Sequence, residues 1–185
     1  TWSLVGSEMC IRDRSQFNPN EVILLIILIT NFFLKMALFL STYINRIDKK
    51  GRVSVPSSFR SVLEQNGLKG MICYPSPTLK SIEGCTANRM QKISDAIEAS
   101  GPFSEERNTF STSIFADSHQ IHFDQEGRVI IPDGLISIAG IIDQVSFVGM
   151  GETFQMWNPD TYDSFKKEKS DNAKNNLANL KWKNE

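Results

Sequence analysis

Two arginines, each four residues after an aspartate and directly after a glycine, are the groups in this chain best placed to hold a ligand. They lie in Asp48-Lys-Lys-Gly-Arg-Val-Ser-Val-Pro56 and Asp124-Gln-Glu-Gly-Arg-Val-Ile-Ile-Pro132, which share Asp, Gly, Arg, Val and Pro at an offset of 76 residues (124 − 48). The guanidinium of Arg52 or Arg128 is a planar fork that grips a phosphate or a guanine edge through two parallel hydrogen bonds. Lys49 and Lys50 add point charges, which would fix position on a phosphate backbone without reading sequence. Asp48 and Asp124 are expected to fix the turn and orient the arginine, because a carboxylate facing phosphate is repelled. The plainer alternative is an ion pair closing a tight turn, weakly stabilising when exposed. Its recurrence in register argues for more.

Other chemistry finds little support. His119 and His122 stand three apart beside Asp117 and Asp124. On a strand they point to opposite faces, so no shared metal ion is expected. Cys10, Cys73 and Cys85 form no C-x-x-C pair; Cys73 in an apolar run and Cys85 beside a glycine read as reduced structural thiols of a cytoplasmic protein. There is no G-x-S-x-G and no phosphate-cradling glycine loop, so neither an enzyme nor a cofactor is expected. A formal net charge of −1 excludes a uniformly basic surface but not a local basic patch.

Each motif needs a scaffold, and both copies have the same grammar. A strand (Thr42 to Ile47; Gln120 to Phe123) leads to a turn whose Gly51 or Gly127 reaches positive φ easily. The chain then returns as a second strand, Arg52 to Val55 or Arg128 to Ile131, which predicts a hairpin. Proline ends that strand, and Ser57 and Asp133 are suitable N-caps for a short helix. Phe59, Val62 and Leu63 make one apolar helix face, and Gly67-Leu68 and Gly140-Ile141 read as C-terminal caps. A further strand pair closes each unit: Met71 to Tyr74 with Leu79 to Ile82, and Val145 to Val148 with Phe154 to Trp157. Helices follow at Thr86 and at Asn158-Pro159. Ser104 to Ser113 reads as a weak helix, Ile114 onward as the approach to a strand, and Lys166 to Glu185 as a fraying polar helix. Phe154 and Trp157 are expected in the core rather than as base-stacking platforms.

A unit of about 50 residues with one hairpin buries too little surface to stand alone. Two copies pairing about a pseudo-two-fold axis into one barrel would solve this. The expected class is therefore mainly β with short helices (α+β). The expected division is 36–100 and 101–169 as two repeats, with 170–185 as a polar tail. Residues 1–35 differ from the rest. The chain opens on Thr1, and its uncharged run from Val22 to Leu34 is shorter than the roughly 20 residues of a membrane-spanning helix. They are read as an extraneous or hydrophobic leader outside the fold, with a membrane-anchored regulator as the alternative if 22–40 belong to the working protein.

The run Asp48 to Arg60, its repeat at Asp124 to Pro132, and Gly149-Met-Gly-Glu-Thr-Phe-Gln-Met-Trp157 resemble the MraZ family, within the AbrB/SpoVT-like DNA-binding group. The resemblance covers Met36 to about Phe165. It implies a tandem swapped-hairpin AbrB-like barrel, assembly into ring-shaped homo-oligomers, and binding to repeated double-stranded promoter sites as a repressor of the division and cell-wall gene cluster. Such a protein would be cytoplasmic and nucleoid-associated, with no membrane partner. Asp48, Arg52, Asp124 and Arg128 fall on the family's D-x-x-x-R positions. Arg60 falls on its helix arginine and would add a phosphate contact. Ile136 departs from the pattern, since the second helix often carries arginine there. Gln125-Glu126 in place of Lys49-Lys50 leaves the second loop less basic. An antitoxin-like partner module of the same barrel type is the competing function.

Overall fold

Local propensity places the elements, but pairing across the two repeats makes the fold. The computed structural model describes residues 23–25, 38–65, 67–99, 101 and 104–177, with the backbone alone at 106 and 171–177. The strands are β1 (Thr42–Arg46), β2 (Arg52–Ser54), β3 (Gly70–Pro75), β4 (Ile82–Cys85), β5 (His119–His122), β6 (Arg128–Ile130), β7 (Gln144–Gly149) and β8 (Thr153–Trp157). The helices are α1 (Ser57–Gln65), α2 (Ala87–Glu98), α3 (Glu105–Phe110), α4 (Asp133–Ala139) and α5 (Pro159–Leu177). The class is mixed α+β with antiparallel sheets and mostly short helices. Among the described residues no helix is long and apolar enough to cross a membrane. The expected leader, 1–35, lies almost wholly outside the described residues, as does the tail from 178.

The expected barrel is replaced by an open six-stranded sheet, β1-β7-β8-β4-β3-β5, and a separate ribbon of β2 and β6. The expected hairpins are also corrected. Strands β1 and β2 meet at one bridge, Ile47 with Val53, while β1 pairs with β7, β5 with β3, and β2 with β6. The physical reason is burial. Local hairpins would leave each unit with its own thin apolar face, whereas the exchanged pairing merges both into one core. That core holds Val53, Val55, Phe59 and Leu63 from the first repeat with Val129, Ile131, Leu135 and Ala139 from the second.

The registers reveal a pseudo-two-fold axis. Val53 faces Val129, its own equivalent at the repeat offset. Across the middle of the large sheet Glu83 faces Gln155, and Gln155 Nε2 donates to Glu83 Oε1 at 2.6 Å. Burial pushes the Glu83 carboxyl above its usual range. Trp157 Nε1 donates to Gln155 Oε1 at 3.0 Å, and the Trp157 ring stacks on Phe165 of α5. Phe154 lies on the other face among Phe39, Phe59 and Phe147. Both rings are fully buried, as expected.

Capping follows the sequence at several ends. Thr86 accepts from Arg89 N–H, Asn158 from Asp160 N–H, and Gly140 closes α4 at φ +63°. Four expectations shift. Helix α1 begins at Ser57 itself rather than after it. Helix α4 likewise begins at Asp133, with Pro132 in the cap position and making no side-chain cap. Strand β4 starts at Ile82 rather than Leu79, because Ser76 to Ser81, with Pro77, forms the hairpin loop closed by Ser76 N–H on Ser81 C=O. Helix α3 runs on as a π-turn through Ser111–Ala116, past the expected start of an extended approach.

The pairing of β3 with the edge strand β5 is tight enough to yield a stability prediction. A Cβ on Gly70 would overlap the Ile121 carbonyl oxygen of the neighbouring strand, and backbone cannot rotate away as a side chain can. Gly70→Ala should therefore cost about 1–3 kcal/mol, seen as a lower urea midpoint with an unchanged slope.

Candidate nucleic-acid interface

Both tips are built alike, from an aspartate outward. Asp48 N–H donates to Arg52 C=O at 3.0 Å, and Gly51 N–H returns to Asp48 C=O at 3.0 Å. Asp48 Oδ1 accepts Lys50 N–H at 2.8 Å and Arg52 N–H at 2.9 Å, while Oδ2 takes Arg52 Nε at 2.7 Å. In the second tip Asp124 does the same for Glu126 N–H, Arg128 N–H and Arg128 Nε, at 2.9, 2.9 and 2.8 Å. The glycines sit at φ +74° and +73°, a region open to glycine at no steric cost. One carboxylate thus holds two backbone donors and aims one guanidinium. The backbone N–H of Arg52, and then its side chain, hold the Asp48 carboxyl below the usual range; Arg128 does likewise for Asp124.

The intrachain ion pair considered from the sequence therefore exists in both tips, but it does not consume the fork. Asp48 engages Arg52 through Nε, which leaves the terminal nitrogens without an ion pair among the described residues. Arg128 is less open. Glu126 Oε2 stands 2.5 Å from its Nη1, and Glu126 occupies the place of Lys50 in the first tip.

The ribbon sets both arginines side by side. Strands β2 and β6 run antiparallel with Arg52 opposite Ile130 and Arg128 opposite Ser54. Alternation turns Val53 and Val129 into the core, at 1% exposure each, so Arg52 and Arg128 share the opposite, solvent-facing surface. Their side chains are 42% and 36% exposed. They stand diagonally across the ribbon, a relation that places residues about 7–8 Å apart, within reach of long side chains. Lys49 and Lys50 are exposed at the first tip.

The tips are also locked to each other. Ile131 N–H donates to Gly51 C=O at 2.9 Å, and Val55 N–H to Gly127 C=O at 3.2 Å. Arg60 sits on α1 of the first repeat, yet its Nη1 donates to the carbonyls of Glu126 and Gly127, both at 3.3 Å. Ile136, one repeat offset later, packs toward the first turn, its Cδ1 3.3 Å from where a Gly51 Cβ would lie. So Asp48, Lys49, Lys50 and Arg52 gather at one tip and Asp124 and Arg128 at the other, while Arg60 belongs spatially to the second tip. Sequence reasoning missed the contact of Ile136 with the first turn and the ion pair of Glu126 with Arg128. The charge of Glu126 was visible; the cross-repeat direction of either helix was not.

His119 and His122 are exposed on the edge strand β5, and no cluster of metal-ligating side chains occurs among the described residues. Cys73 and Cys85 are fully buried and unbridged, and burial pushes both thiols up to about 12. They are packing groups rather than nucleophiles.

The structure is a duplicated α+β fold, paired across its repeats, that presents two arginine turns from a two-stranded ribbon. Comparison with known proteins supplies the family. The model described as "MraZ protein, putative antitoxin-like" matches residues 114–182. The protein named Transcriptional regulator MraZ of Pelagibacter ubique (strain HTCC1062) is 48% identical over 145 residues, 78% of this chain and 94% of that protein. Its namesakes from Rickettsia bellii (strain OSU 85-389) and Rickettsia canadensis (strain McKiel) are 47% and 45% identical over 131 and 130 residues. Each of these alignments covers 70% of this chain and 87% of the relative. The chain belongs to the MraZ family of transcriptional regulators.

Proposed function

We propose that the chain is a sequence-specific DNA-binding repressor, reading repeated sites in duplex DNA with its two arginine tips. The observation that carries this reading is the pair of guanidinium groups fixed on one exposed ribbon face by two matching turns. Rigid presentation matters because a bidentate contact to a guanine edge gives discrimination only when the fork arrives already oriented. In this reading Arg52 and Arg128 reach base edges, Lys49 and Lys50 bind phosphate, and Arg60 serves the interface from beneath the second turn, whose carbonyls take its Nη1. Asp48 and Asp124 orient the arginines. The cross-repeat pairing of β2 with β6 supports kinship with swapped-hairpin regulators, with 36–100 and 101–169 as the repeats. The division and cell-wall gene cluster as target, a ring-shaped homo-oligomer, and a cytoplasmic, nucleoid-associated place of action rest on the family resemblance. The antitoxin-like wording of the matched family model favours a second reading, in which DNA binds weakly until a partner protein joins.

The test is a fluorescence titration of the full chain against the duplex upstream of its own gene and a scrambled duplex, at several salt concentrations. Tighter binding to the former with steep salt dependence supports the reading; equal affinities with a shallow response overturn it. The tips also differ in charge, which gives a paired expectation. Lys50→Ala should weaken binding to all sequences and reduce the salt slope by about 1. Glu126→Lys, which frees Arg128 Nη1 and adds a cation, should do the reverse.

A further inference from the structure

The geometry points to Arg60 as a positioning residue that braces the tip of the other repeat. Its helix, α1, follows the first tip in sequence, but its guanidinium ends beneath the second. The Nη1 donor spans the Glu126 and Gly127 carbonyls, and the side chain fills the space a Gly127 Cβ would need. These carbonyls belong to the turn that sets Arg128, whose backbone N–H and Nε are both held by Asp124. A shift of that turn therefore moves the Arg128 fork directly. The first tip is supported differently, because Ile136 of α4 meets its Gly51 with an apolar contact and no donor. Each tip takes one backbone hydrogen bond from the opposite repeat's ribbon strand; beyond that, the opposite helix braces the second tip through hydrogen bonds and the first through packing. Arg60 acts on DNA affinity through Arg128 and not through Arg52.

This rests on the DNA-contact reading of the tips, so its test has two arms. In a double-mutant cycle, Arg60→Ala should weaken binding roughly tenfold both in the unmodified chain and with Arg52→Ala. With Arg128→Ala already present it should weaken binding by less than about twofold, because residues acting through one contact are non-additive. Equal losses in both backgrounds would overturn the assignment and make Arg60 an independent DNA contact. In the second arm, hydrogen exchange of the DNA-free chain should quicken at 124–128 in Arg60→Ala and stay unchanged at 48–52. Arg60→Lys, which keeps a donor, should restore most of the protection; its failure to do so, or equal quickening at both turns, contradicts the brace. Should the unmodified chain bind no specific DNA, the repressor reading falls, while the exchange arm still decides the brace.

Discussion

Arg52→Ala combined with Arg128→Ala is expected to erase the preference for the upstream duplex over a scrambled one. Each good bidentate arginine contact is worth about 1–3 kcal/mol of discrimination, and the two forks lie on one face, so one duplex can meet both. The fold should survive. Both side chains are part-exposed, and in each turn the aspartate Oδ1 keeps its two backbone donors, because Lys50, Glu126 and the substituted residues still carry N–H groups. An unchanged melting temperature with lost discrimination is therefore the expected pair of results. Residual binding should persist and remain salt-dependent, since Lys49 and Lys50 are untouched. Retained discrimination in the double variant would remove the tips from any part in reading sequence.

Phe59→Ala should be the most damaging single change to stability, at about 3–5 kcal/mol. Phe59 is fully buried and meets four rings: Phe39 at 5.2 Å, Phe154 at 5.3 Å, Tyr43 at 5.6 Å and Phe147 at 6.3 Å between centroids. Its edge-on contacts with Phe39, Tyr43 and Phe147 add specific energy beyond the area buried. A loss of that size is a large fraction of the roughly 5–15 kcal/mol that holds a typical domain together. Phe59 also pins α1, the helix that carries Arg60, to the shared core. Chemical denaturation would record the loss, and a change below about 1 kcal/mol would mean this site repacks freely.

How much of this the residues announce depends on range. Asp48 and Gly51, with their copies, state a turn locally, because side-chain capture of nearby N–H groups and positive φ are properties of a few neighbouring residues. The same holds for the caps at Thr86 and Asn158. Strand pairing is different. Alternation in β2 turns Val53 inward but says nothing about the neighbour, so a local hairpin with β1 and a partner in β6 look identical in sequence. The closed barrel that the resemblance implied did not appear; β2 and β6 pair with each other across the repeats. The late start of β4 has a local cause in Pro77, which the apolar pair of Leu79 and Ile82 obscured. Arg60 could not be placed at all from its spacing, because its partner turn is 66 residues away along the chain and reached only through the exchanged ribbon.

Placing a photoreactive group at Lys49 and, in a separate variant, at Gln125 tests most directly whether the two exposed turns face DNA together. The control position is Gln91, exposed on α2. Cross-linking of both turn variants to the upstream duplex, with none from the Gln91 variant, is the expected outcome. Cross-linking from Gln91 while both turns stay silent would contradict the account.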